Sequence, residues 1–250
     1  MRVNRQGRNA LTWSTQEGFA QAVAAARAAD ARGYHYYRRG PGVRLRRRTE
    51  ELANHPEAAA GERLNRVMSA ALDDLVALPC PVIAAVNGDA IGGGCEILTA
   101  CDLRLAAPGA RFAFRQVHNG LTTGWARGAL VALVGQSRAT ELLLTGRTFD
   151  AAEAQALGLV HRLAAPGENR LDAAASWAAE LPAPARAAPW PPSKRWPTPR
   201  PIAPADTNRL EAQLFINLWP SADPHRGRWA PSPRSARRAS TGDHASGTQS

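Results

Sequence analysis

The sequence predicts an α/β fold, and three observations carry that prediction. Pro81-Val82-Ile83-Ala84-Ala85-Val86 is a short, continuously apolar run, the pattern of a strand buried on both faces. A glycine-rich loop, Asn87-Gly88-Asp89-Ala90-Ile91-Gly92-Gly93-Gly94, follows at once and opens onto a helix expected from Cys95 to Cys101. Leu103 to Ala107 then reads as a second short strand.

The other elements follow in chain order. Residues 9–32 read as an alanine-rich amphipathic helix with Phe19, Val23 and Ala26 on one face. Residues 33–48 carry Tyr, His and Arg with neither a two-residue nor a helical period, so no regular element is expected there. Leu64 to Leu78 is helical in pattern, with Leu64, Val67, Met68, Ala71, Leu72 and Leu75 apolar, and Pro79 and Pro81 end it. Ala129 to Val134 and Arg138 to Leu144 read as helices. Asp150 is placed to cap a helix from Ala151 to Leu157, Gly158 to stop it, and Leu159 to Leu163 to return as a strand. Residues 181–205 are proline-rich, 206–220 become helical again, and the basic tail from Ser221 reads as disordered.

Bulk properties narrow the function. The 250 residues suit one large domain or a domain plus an appendage, and 44% hydrophobic content supplies a core. No run of about 18 apolar residues occurs, so no membrane span is expected. The polar start, Met1-Arg2-Val3-Asn4-Arg5, carries no secretory signal pattern. Cys80, Cys95 and Cys101 are odd in number and irregular in spacing, which fits buried thiols in a reducing cytoplasm rather than disulfides or zinc. The net charge of +10 invites a nucleic-acid partner, but Lys194 is the only lysine. Arginines cluster at 38–48 and 226–238, among abundant Ala, Gly and Pro. That bias suggests a GC-rich gene, so no specific nucleic acid is expected.

A strand, glycine loop and helix place main-chain N–H donors at a helix N-terminus, which favours negative charge. A phosphate-binding P-loop needs Gly-Lys-Ser/Thr, and Cys95-Glu96 stands there instead. Gly88, Gly92, Gly93 and Gly94 do not fit the dinucleotide spacing. An oxyanion hole for a carbonyl fits, with Glu96 one turn away as acid or base. A tight turn carrying a solvated glutamate fits the loop equally well.

The run from Pro81 to Gly88, then Gly92-Gly93-Gly94-Cys95-Glu96-Ile97-Leu98 and Cys101-Asp102-Leu103-Arg104, resembles the central motif of the crotonase (enoyl-CoA hydratase/isomerase) superfamily. Leu142 to Arg147, Ala151 to Ala154 and Gly158-Leu159-Val160 resemble the block that follows it, and Arg8 to Leu11 resembles the opening turn. The resemblance implies an α/β fold with a spiral ββα core over residues 1–180 and a C-terminal helical, trimerising region over 181–250. It implies an acyl-CoA substrate, no cofactor beyond the CoA that arrives with the substrate, and a homotrimer or hexamer if the C-terminal region folds. It assigns an oxyanion donor to Gly93 N–H, a second near Arg47, and substrate contacts to Ala90, Gly92, Gly94 and Trp125. Glu96 matches the first of the two glutamates that handle water in family hydratases.

The second glutamate falls at Gln116. An amide can hold a water but cannot exchange its proton at neutral pH, so two-carboxylate hydration is in doubt. Gly120 to Trp125 also looks closer to decarboxylase-like members. If Gln116 has no such role, it is expected as a surface strand residue. Residues 34–48 replace the family's first oxyanion strand. Read one nucleotide later with GC-rich codons, they permit Thr-Thr-Thr-Thr-Gly-Ala-Gly-Pro-Ala-Phe-Val-Ser-Gly-Ala, close to the missing motif. Parts of 183–204 and 226–250 behave likewise, so a displaced reading frame is expected in all three stretches, leaving the C-terminal region degraded and partly disordered. The functions to separate are a hydratase or isomerase, a CoA-ester decarboxylase, a homologue that binds without turnover, and an arginine-rich nucleic-acid binder whose retention would fall steeply with salt.

Overall fold

A computed structural model describes residues 2–3, 12–28, 34–38, 55, 57–181 and 205–221. The apolar run forms β3 (Val82–Val86), buried at every position as expected. It lies inside a five-stranded sheet with β1 (Arg2–Val3), β2 (Tyr34–Arg38), β5 (Leu103–Ala106) and β8 (Arg162–Leu163), in the order β1-β2-β3-β5-β8. All neighbours in this sheet run parallel. A second sheet, β4-β6-β7, is built from Ala90–Ile91, Arg111–Ala113 and Phe149–Asp150.

The chain alternates between the sheets. β3 enters the first, β4 the second, and helix α3 (Gly93–Ala100) follows. β5 and β6 repeat the step, ahead of helices α4 (Arg127–Val134) and α5 (Gln136–Thr145). That is the spiral ββα core. Two earlier helices, α1 (Trp13–Ala28) and α2 (Ala58–Val76), bury Phe19, Val23 and Ala26, and Leu64, Met68, Ala71, Leu72 and Leu75. A C-terminal helix, α8 (Ala205–Leu218), comes after α6 (Ala151–Ala156) and α7 (Arg170–Glu180).

The structure corrects three local expectations. Tyr34–Arg38 lacks a period yet forms a strand, because pairing with Val82–Val86 supplies main-chain bonds that side-chain pattern does not reveal. Residues 39–48, and the stretches 183–204 and 226–250, lie outside the described residues. α2 begins at Ala58 rather than Leu64, in an alanine-rich turn with no apolar stripe to mark it. The strand expected over 159–163 shortens to Arg162–Leu163, since Val160 N–H instead closes the preceding helix on Ala154 O at 3.0 Å. Asp150 does cap that helix, accepting from Glu153 N–H, and Gly158 ends it at φ +81°.

One buried polar side chain locks the core. The Arg104 guanidinium, 2% exposed, donates to Leu159 O at 2.6 Å, Leu98 O at 3.3 Å and Cys101 O. It thus meets carbonyls left over at the end of α3, where a cation also suits the helix dipole. Arg104 N–H donates to His161 Nδ1 at 3.2 Å, so the neutral ring is the form that fits. Burial, then the Arg104 charge, holds the His161 pKa below the ordinary histidine value. The unfolded chain therefore takes up this proton at higher pH than the folded one. His161 contributes stability that is present above about pH 6.5 and lost as pH falls through it toward the folded value. Melting temperatures followed across that window should drop, and His161→Asn, which keeps an acceptor without the titration, should drop less.

The 3-10 turn Trp219–Ser221, which follows α8, docks on α2 through a close approach at Gly61. A Cβ there would lie 2.6 Å from Trp219 Cγ, and Trp219 Nε1 donates to His55 O at 2.7 Å. Gly61→Ala should destabilise the protein by about 1–3 kcal/mol by overpacking, despite alanine's helix propensity. A lower denaturation midpoint would be the sign of it; an unchanged one would mean that Trp219 does not sit against Gly61.

Candidate active site

The site grows from the edge of the second sheet. β4 and β6 pair in parallel, Ala90 opposite Phe112 and Ile91 opposite Ala113, and Gly92 N–H extends the pairing to Ala113 O at 2.8 Å. Both chains therefore leave the sheet side by side at the same end. One becomes Gly92-Gly93-Gly94 and helix α3. The other becomes a 3-10 turn, Arg115–Asn119, which contains Gln116.

Gly92 caps α3 with φ +59°, a conformation that favours glycine, and offers no side-chain acceptor. Cys95 and Glu96 N–H turn back to Gly92 O at 2.8 and 3.0 Å. Gly93 and Gly94 N–H make no hydrogen bond to the described residues. Both residues are buried. Two donors thus stand at the start of the helix, as helix geometry dictates when the cap is a glycine. The helix begins at Gly93, two residues before the expected Cys95, which places these donors within its first turn.

Glu96 lies in that same turn and is only 1% exposed, which rules out the solvated glutamate left open by the sequence. Its Oε1 accepts from Gly124 N–H at 3.1 Å. Gly124 O accepts in turn from Asn65 Nδ2, on α2, at 2.9 Å. Gln116 is not a surface strand residue: it is 6% exposed, in the 3-10 turn, and neither its amide N nor its amide O has a partner among the described residues. Its main-chain O accepts from Leu121 N–H at 3.0 Å, which turns residues 121–126 back toward α3. Trp125 is half-buried, its Nε1 unpartnered among the described residues, its ring centroid 6.1 Å from that of Phe215. A buried polar atom without a partner costs about 1–3 kcal/mol, and such atoms gather here.

The remaining expected contacts separate. Ala90 is buried in β4, two residues ahead of the helix cap. Gly92 and Gly94 flank Gly93. Arg47 lies outside the described residues. A bidentate ion pair from Arg111 to Asp89, at 2.6 and 3.1 Å, ties the glycine loop to the start of β6 and raises the Arg111 pKa chiefly through the hydrogen bond. Asn65 and Glu211 were not singled out by sequence, and Thr123 and Gly124 only as part of the run Gly120 to Trp125, with no role of their own. The usable signal was a polar residue on an apolar helical stripe, as with Asn65 beside Leu64 and Met68, and Glu211 four residues before Phe215. Among the described residues no three His, Cys, Asp or Glu converge as a metal site, and no helix is long and apolar enough to cross a membrane.

The enoyl-CoA hydratase/isomerase family model matches residues 48–190, more than half of the chain. The chain belongs to this family, within the crotonase superfamily. The probable enoyl-CoA hydratase echA17 of Mycobacterium avium is 40% identical over 121 residues, which are 48% of this chain and 47% of that protein. The probable enoyl-CoA hydratase echA8 of Mycobacterium leprae is 46% identical over 90 residues, covering 36% of this chain and 35% of that one. The chain therefore matches about half, or less, of the length of these curated relatives. An enoyl-CoA hydratase crystal structure from Mycobacterium smegmatis superposes with a TM-score of 0.65 at 30% identity, over 72% of this chain and 70% of the other. Pseudomonas aeruginosa OdaA superposes at 0.69 and 26% identity, over 97% and 94%.

Proposed function

We propose that this enoyl-CoA hydratase/isomerase family member acts on acyl-CoA thioesters by stabilising an enolate. The observation that carries the reading is the pair of buried N–H groups at Gly93 and Gly94, without a partner among the described residues and one turn from buried Glu96. A thioester oxygen that gains charge accepts from Gly93 N–H, where the helix dipole adds to the stabilisation. Glu96 removes or returns the proton at the adjacent carbon. Gln116 holds a water or a polar group by hydrogen bonds without sharing its proton. Ala90, Gly92, Gly94 and Trp125 shape the place where the acyl portion lies. CoA enters with the substrate, and no further cofactor is required. The three cysteines are buried, which suits a cytoplasmic setting.

Gln116 favours a second reading, a CoA-ester decarboxylase. Loss of CO₂ leaves an enolate directly, so one proton-handling carboxylate suffices. Crotonyl-CoA tested beside malonyl-type CoA esters separates the two. We expect weak hydration at most; decarboxylation would select the second reading, and absence of both binding and turnover with every thioester would refute both. Binding without turnover would make the chain a catalytically silent homologue. Leu210 and Leu214, one helical turn apart on α8 and 57% and 42% exposed, support a homotrimer or hexamer. Sedimentation that finds only monomer would exclude it.

A further inference from the structure

We propose that Glu211 is a positioning residue for Glu96: from the C-terminal helix it fixes the segment 123–126, whose Gly124 N–H holds the Glu96 carboxylate. The proposal rests on the role given above to Glu96. Glu211 is 3% exposed and sits on the face of α8 that also buries Phe215. Burying a carboxylate is costly unless donors meet it, so its place on this face calls for an account. Two of its donors come from one short segment. Thr123 Oγ1 donates to Glu211, and Ala126 N–H donates to Glu211 Oε1 at 3.2 Å.

Gly124 lies between those two contacts, with N–H on Glu96 Oε1 at 3.1 Å and O on Asn65 Nδ2 at 2.9 Å. Residues 121–126 belong to no helix or strand, so external hydrogen bonds decide where their backbone lies. A Cβ at Gly124 would stand 3.1 Å from Asn65 Nδ2 and 3.4 Å from Phe215, so the segment is also packed closely from α2 and α8. Ala126 is the cap of α4 and brings no side-chain acceptor. Glu211 supplies an acceptor there from another helix. Docking of α8 is thereby coupled to the orientation of the Glu96 carboxylate.

Backbone amide exchange on the full chain tests this without relying on turnover. In Thr123→Val, Gly124 and Ala126 amides should exchange at least about tenfold faster, while the Val82–Val86 amides, which report the whole fold, stay unchanged. Thr123→Ser, which keeps the hydroxyl, should behave like the unaltered protein. Unchanged protection at Gly124, or a loss that merely follows the strand amides, would overturn the proposal. With the fold shown intact by those strand amides, Thr123→Val should also lower kcat about tenfold and leave KM nearly unchanged; an unaltered kcat in the presence of faster Gly124 exchange would overturn the link to Glu96. If the unaltered chain turns over no thioester, the functional reading fails, and the exchange measurement still decides whether Glu211 holds Gly124 in place.

Discussion

Glu96→Gln should lower turnover of any acyl-CoA substrate of this chain by about 10²–10⁴-fold, the usual contribution of a positioned acid or base. The substitution is close to isosteric, and the amide oxygen can still accept from Gly124 N–H, which is 3.1 Å from Glu96 Oε1. The segment 123–126 should therefore stay in place and substrate affinity change little. What is lost is the proton exchange, since a buried amide neither takes nor gives one at neutral pH. Steady-state kinetics with kcat and KM resolved separately would show it: kcat falls and KM holds. Turnover that survives Glu96→Gln would place the chemistry on another residue.

Gln116→Glu should raise hydration of a short enoyl-CoA by about 10-fold to 100-fold, by returning a second proton-handling carboxylate. The position suits the change. Gln116 follows three residues after Ala113, whose O accepts from Gly92 N–H at the cap of α3, and its amide is buried without a protein partner among the described residues. The same burial predicts a cost. A carboxylate placed there is desolvated, so its folded pKa should lie above the unfolded value. The variant's loss of stability should then be small at low pH and grow as pH rises. A hydration assay and melting curves at two pH values would measure both effects, and hydration that does not rise in a folded variant would remove Gln116 from the site.

The legible parts of this protein were those where local pattern and global packing agree. Val82–Val86 was readable because a strand buried on both faces needs an unbroken apolar run. Glu96 was readable because it follows three glycines at a helix start, although burial and not spacing excludes the solvated alternative. Tyr34–Arg38 was not, since its strand is made by main-chain pairing with β3. The alternative of a surface strand at Gln116 failed, because the residue lies buried in a five-residue 3-10 turn that leaves no period to detect. Glu211 reaches the site from far along the chain, and only the docking of α8 brings it to Thr123. Its mark in the sequence is a charge on an apolar stripe, which pattern reading treats as noise.

Enolate formation at Gly93 and Glu96 is the central claim, and α-proton exchange tests it most directly. A saturated short acyl-CoA has no double bond to hydrate and no carboxylate to lose, so deuterium entering its α-carbon in D₂O reports the enolate alone. The account predicts incorporation by the full chain and its loss in Glu96→Gln. A chain that binds the thioester but incorporates no deuterium, or one that incorporates it equally after Glu96→Gln, would contradict it.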